Sequence, residues 1–108
     1  MNKDIQIIDD SVKTEVLEYP TVELISRLFP GHPISRRGVM RSPFRDDRHP
    51  SFSCFKGTGG ISRWKDQATG ESGDNISLYR RVYPELDYVE AVDQLSWLLF
   101  LHALPSCL

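Results

Sequence analysis

Residues 41–52 read RSPFRDDRHPSF: a Ser-Pro-Phe-Arg turn, two adjacent aspartates and a His-Pro-Ser-Phe run in one short segment. Arginines, carboxylates and an imidazole packed this closely look like the shell of a metal site, but the ligands themselves are missing. A structural zinc site needs a closed tetrahedral set of thiolates and imidazoles. Asp46 and Asp47 are sequence neighbours, and adjacent side chains usually diverge, which argues against a shared metal or a catalytic carboxylate pair. Cys54 with His49 would make half a metal site, but a single thiol on a strand is more commonly a small buried hydrophobe. His32, His49 and His102 are scattered along the chain. No nucleophile, base and orienting group stand in an arrangement suited to hydrolysis. The GTGG run at residues 57–60 lacks the Lys-Ser/Thr and the following helix that a phosphate loop requires. The expectation is a chain that is not an enzyme by itself, with no cofactor and no small-molecule substrate.

Charge points elsewhere. The net charge of −2 hides a division into three parts. Residues 1–26 carry two basic and six acidic groups, residues 27–65 nine basic and two acidic, and residues 66–108 two basic and seven acidic. A basic middle between acidic ends is the footprint of a polyanion partner, or a solvated surface.

The 108 residues suffice for one domain with a modest core and no staples. Two cysteines, Cys54 and Cys107, do not suggest a disulfide framework. The opening MNKDIQIIDD is too acidic for a secretory signal, and the longest apolar run, WLLFLHAL, is too short to span a membrane. The expectation is a cytoplasmic, soluble protein with no membrane partner.

The elements follow from periodicity and punctuation. Residues 1–19 read as an N-terminal extension, partly disordered or an added strand. PTVELISRLFPG reads as a short helix with Val22, Ile25 and Leu28/Phe29 on one face, started by Pro20 and stopped by PGHP. SFSCF is a strand with Phe52 and Cys54 on one face and Ser53 and Phe55 on the other. KGTGG is hairpin chemistry, and ISRWKD is the partner strand, with Arg63 and Lys65 opposite to Trp64. DNISLYRRVYP is a helix capped by Asp74 and ended before Pro84. LDYVEAVDQLSWLLFLHAL is a second helix with an Asp87/Glu90 capping box. Its stripe of Tyr88, Val92, Leu95 and Leu99, widened by Val89, Leu98 and Leu101, predicts packing against a sheet. Trp64, Phe44, Phe52, Leu78 and Trp97 are the expected core. The fold class is α+β: a small antiparallel sheet against three helices, with the domain over residues 20–104 and a tail at 105–108.

In this order and spacing, SPFRDDRHPSFSCF, RWKDQATGESGDNISLYRRVYPELDYVEAVDQL and the upstream VELISRLF resemble the N-terminal CHC2-type zinc-binding domain of bacterial and phage DNA primases. That family has a Cys-Pro-x-His knuckle, a Thr-Pro-Ser-Phe run, a hairpin, a Cys-x-x-Cys knuckle and a Gly-rich turn into helices. The resemblance covers roughly residues 20–100. It sets the four zinc-ligand positions on Ser42, Arg45, Asp66 and Thr69. The spacing is kept and the ligands are not: hydroxyls are poor zinc ligands and arginine stays protonated. No zinc is expected here. An Arg45–Asp66 ion pair is expected to bridge the two turns in its place, with Ser42 and Thr69 hydrogen-bonding nearby.

The resemblance also implies contact with single-stranded template DNA in a replication protein of a phage, plasmid or mobile element. Polymerising chemistry in that family lies in a separate Toprim domain, and a Toprim, primase or helicase partner is implied. Arg36, Arg37, Arg41, Arg48, Phe55, Lys56, Arg63 and Lys65 are the candidate DNA-binding residues, cations around one aromatic platform. The competing reading is a protein-interaction module that has lost DNA binding and docks through the last helix and the LFLHALPSCL tail. A DNA binder should gather Arg36, Arg41, Arg63 and Lys65 on one face; a docking module should expose an apolar patch on the last helix.

Overall fold

The computed structural model of the chain describes residues 10–35 and 37–99. Four helices and a four-stranded antiparallel sheet make an α+β fold. Helices α1 (Asp10–Glu18) and α2 (Thr21–Leu28) precede strands β1 (Val39–Met40), β2 (Phe52–Lys56), β3 (Ser62–Asp66) and β4 (Ser72–Asp74). Helices α3 (Asn75–Val82) and α4 (Tyr88–Leu99) follow. The strands lie in sequence order, each antiparallel to the next.

The β2–β3 hairpin turns on KGTGG, where Gly59 and Gly60 have φ of 74° and 79°, conformations that a side chain disfavours. The hairpin register sets Phe52 opposite Asp66, Cys54 opposite Trp64 and Phe55 opposite Arg63. At the β1 side, Gly38 has φ of 93° and its carbonyl accepts the Cys54 N–H at 2.6 Å. A Cβ there would stand 2.4 Å from the Cys54 carbonyl oxygen, so only glycine lets the backbones approach this closely.

Alternation gives the sheet one inner and one outer face. Phe52 and Trp64 point inward and stack with centroids 5.4 Å apart. Phe44 sets its edge against both rings and against Phe29, at 5.8, 5.7 and 5.9 Å. Leu24, Ile25, Ile76, Leu78 and Leu95 complete a core that α2 and α3 press onto the sheet. Four of the five expected core residues pack here; Leu24, fully buried, was absent from the expected face of α2.

Four expectations are corrected. Part of the expected N-terminal extension, residues 10–18, is helix α1, and its Val16 is fully buried. Residues 1–9 lie outside the described residues, as do 100–108, and with them Leu101, His102, Cys107 and the proposed tail. Helix α1 is held by Asn75, itself buried at the start of α3. The Asn75 amide donates to the carbonyls of Val16 and Tyr19 at 2.8 and 2.7 Å, and Thr21 Oγ1 donates to Asn75 Oδ1 at 2.7 Å. These bonds satisfy carbonyls that the end of α1 leaves without intrahelical partners.

Helix α4, expected on the sheet, has α1 and α3 as its principal neighbours. Its buried stripe is Ala91, Val92, Leu95 and Leu99, while Tyr88 stays largely exposed in the first turn, with Lys13 Nζ 5.5 Å from its ring centroid. Trp97 is 58% exposed and not in the core. At about 100° per residue it falls on the opposite side of α4 from Leu95 and Leu99.

Both expected helix starts are present. Asp74 accepts the Ser77 N–H at 2.9 Å while Ser77 Oγ accepts the Asp74 N–H at 2.9 Å. Asp87 and Glu90 exchange the same pair of bonds at 2.8 and 3.0 Å. No helix among the described residues is long and apolar enough to cross a membrane.

Candidate nucleic-acid interface and the turn clasp

Two turns meet under the sheet. One is the Ser42–Asp47 turn after β1; the other joins β3 to β4, where Gly70 and Glu71 return the chain toward Asp66. Arg45 reaches from the first turn to Asp66 at the end of β3. Its Nη2 donates to Oδ1 at 2.9 Å and its Nε to Oδ2 at 3.2 Å, a bidentate pair that fixes both side chains. The expected Arg45–Asp66 bridge is therefore present, and it is larger than one pair. Arg45 Nη1 donates to Asp47 Oδ1 at 3.3 Å and Nη2 to Ser51 Oγ at 3.0 Å. Ser51 Oγ donates to Asp47 Oδ2 at 2.9 Å.

Ser42 and Thr69 enter this clasp through their backbones. The Ser42 N–H donates to Asp47 Oδ2 at 2.9 Å, and the Thr69 and Ala68 N–H groups donate to Asp66 Oδ1 at 3.3 and 2.9 Å. Their hydroxyls serve local turns: Ser42 Oγ accepts from the Phe44 N–H, and Thr69 Oγ1 donates to Glu71 Oε1.

Both inner carboxylates are held below the ordinary range. The Ser42 N–H, with Ser51 and Arg45, brings Asp47 down to about 2 against the opposing effect of burial. Burial pushes Asp66 up, but Arg45 and the Ala68 and Thr69 N–H groups outweigh it and leave a lowered pKa. Anionic Asp66 already has a cation and two amide donors, and a positive guanidinium stands where a metal would have to sit. The residues at these four positions do not fit a zinc ion. Among the described residues, no group of three or more His, Cys, Asp or Glu is placed to hold a metal.

Asp47 and Ser51 escaped the sequence reading. Asp46 and Asp47 do diverge, Asp46 to solvent and Asp47 to the interior. Nothing in an Asp-Asp pair says which one turns in. Burial pushes the Cys54 thiol up to about 12, so it is an unreactive, partly buried side chain.

The outer face of the sheet is a different surface. One rung across it is Val39, Ser53, Lys65 and Ser72; the next is Phe55, Arg63 and Asp74. Phe55 is 48% exposed. Asp74 is committed to the α3 cap, and among the described residues neither Arg63 nor Lys65 has an ion-pair partner.

Of the candidate DNA-binding residues, Phe55, Arg63 and Lys65 share this face. Arg41 is exposed past the end of β1, beside the Ser42–Asp47 turn and off the strand ladder, while its carbonyl bonds His32 Nε2 at 2.8 Å. Arg37 and Arg48 are exposed in loops, off the strand ladder. Arg36 lies outside the described residues. Lys56 is not on this face: its partner Ser62 points inward, and its Nζ donates to the carbonyls of Glu18 and Gly60 at 3.2 and 3.3 Å. Comparison with protein-family models, curated proteins and solved structures finds no match to the chain.

Proposed function

We propose that this chain is a single-stranded DNA-binding domain of the primase zinc-binding type, an accessory module of a replication protein, in which the Arg45 clasp stands in place of the metal. One observation carries the DNA reading: half-exposed Phe55 lies directly across from Arg63, with Lys65 one rung away and neither cation in an ion pair among the described residues. Such a group suits phosphates on the cations and a base stacked on the ring. Arg63 and Lys65 are two residues apart on β3, about 6.8 Å, a stride that an extended single strand matches. The module binds and positions the template and carries no catalytic step. Its partners would be DNA and a protein bearing the polymerising or unwinding activity, in the cytoplasm.

The alternative, docking through α4, needs a contiguous apolar patch. Trp97 and Tyr88 are exposed there, but they are nine positions apart, about half a turn around the helix. Trp97 has exposed Asp93 as its neighbour one turn back.

The test is fluorescence anisotropy of a labelled single-stranded oligonucleotide titrated with the protein at several salt concentrations. Two to three phosphate contacts predict a log–log salt slope near −1.4 to −2.1, at about 0.7 ions per phosphate. Absence of binding at low salt contradicts the reading.

A further inference from the structure

Away from the sheet, residues 82–99 carry Glu85, Asp87, Glu90 and Asp93 and no basic group. Glu90, Asp93 and Trp97 are spaced three and four apart, which sets them on one face of α4. Asp93 is exposed, and Trp97 is the most exposed large apolar side chain among the described residues. Gln94 widens this face toward α3. Its Oε1 accepts the Tyr79 hydroxyl at 2.8 Å, and Tyr79 packs against exposed Tyr83 with ring centroids 4.9 Å apart. The Asp93 carbonyl accepts from Ser96 Oγ at 2.7 Å, while its carboxylate has no ion-pair partner among the described residues. An acidic helix face that carries an exposed indole repels a nucleic-acid strand and suits an arginine. The carboxylate orients the guanidinium, and the ring takes it on its face.

The complement stands on the same chain. Arg41 and Arg48 lie on the two arms of the clasp turn, which the Ser42 N–H bond to Asp47 Oδ2 draws together at 2.9 Å. Both are exposed, both are off the strand ladder, and neither has an ion-pair partner among the described residues. Asp46 is the only exposed carboxylate between them.

Among the described residues, no ion pair joins this turn to α4 within one molecule. We infer that the acidic, aromatic face of α4 receives the Arg41/Arg48 turn of a second copy of this chain. The two patches are different surfaces, so the contact is heterologous. Each pairing leaves one free patch at either end, and copies add head to tail without closing as a symmetric pair. Exposed charges hold the contact, so salt weakens it. The inference goes beyond DNA binding and does not depend on it.

The test is sedimentation equilibrium of the full chain without DNA. At low salt the average mass of wild type should rise with concentration past that of a dimer, and at high salt it should return to that of a monomer. Asp93→Lys with Trp97→Ala removes the acidic face and keeps the turn; Arg41→Glu with Arg48→Glu removes the turn and keeps the face. Each double variant, with a melting curve like that of wild type, should be monomeric alone. An equal mixture of the two should form a one-to-one dimer and nothing larger, because each supplies the patch the other lacks. A wild type that stays monomeric at low salt overturns the inference and leaves the α4 face to a different basic protein. Association that persists in either double variant alone, or a mixture that stays monomeric, overturns it as well.

Discussion

In the clasp, Arg45 gives its guanidinium to Asp66, Asp47 and Ser51, and each inner carboxylate has backbone N–H donors as well. On the outer face of the sheet, Arg63 and Lys65 stand beside Phe55 with no acidic side chain paired to them among the described residues. The two regions use the same side-chain chemistry and differ in saturation. A cation whose donors are filled by its own chain holds two turns together. A cation whose donors face water keeps them for a ligand. Asp66 ties the regions together, because it is the last residue of the strand that carries both Arg63 and Lys65. Fixing that strand end fixes the spacing of the outer cations.

The largest effect should come from placing zinc ligands in the clasp. Ser42→Cys, Arg45→His, Asp66→Cys and Thr69→Cys combined should create a zinc site, visible by the absorption of bound cobalt. Structural zinc contributes on the order of 10 kcal/mol in small domains, so the melting temperature should rise steeply with metal. A quadruple variant that takes no metal would break the register on which the primase resemblance rests.

Next in size is Asp66→Ala. It leaves Arg45 without its bidentate partner and the Ala68 and Thr69 N–H groups without an acceptor. Loss of one member of a half-buried pair should lower the melting temperature by on the order of 10 °C. Arg63→Ser with Lys65→Ser should shift stability by no more than about 0.5 kcal/mol while weakening DNA binding and flattening its salt slope by about 0.7 per lost contact. Phe55→Ala should cost about 1–3 kcal/mol of binding, independent of salt.

The smallest effect is acidic. Asp47 sits at about 2 against an ordinary 3.8, and Asp66 is also lowered. A depressed carboxylate stabilises the fold above its unfolded value and loses that contribution as pH falls through its folded one. Wild type should therefore lose stability from about pH 4 down toward about pH 2. Asp47→Asn should be less stable at neutral pH and show a shallower acid limb, measured by thermal melts across that range.

Much of this is legible in the sequence. The Arg45–Asp66 bridge follows from the spacing of the zinc-ligand positions in the family that the sequence resembles, because spacing encodes where two turns converge. The strand faces followed from alternation, which carried Phe55, Arg63 and Lys65 to one side and Trp64 to the other. The misses have physical reasons too. Trp97, expected in the core, is exposed because its angular position on α4 puts it opposite the buried stripe. Helix α1 was hidden because its acidic residues are as many as its apolar ones, yet Val12 and Val16 stand four apart, the spacing of one helical face. Its anchor, Asn75, lies 59 residues from Val16, a distance over which no local pattern reports. Lys56 was assigned to the outer face by neighbourhood; parity and two backbone carbonyls take it to the other side.

Amide chemical-shift mapping of the isotope-labelled protein, as a single-stranded oligonucleotide is added, separates the two surfaces. Binding on the outer face should concentrate shifts on Val39, Ser53, Phe55, Arg63, Lys65 and Ser72, with Asp47 and Ala68 of the clasp still. Shifts centred on the exposed side of α4 around Trp97, or none at all, would contradict it.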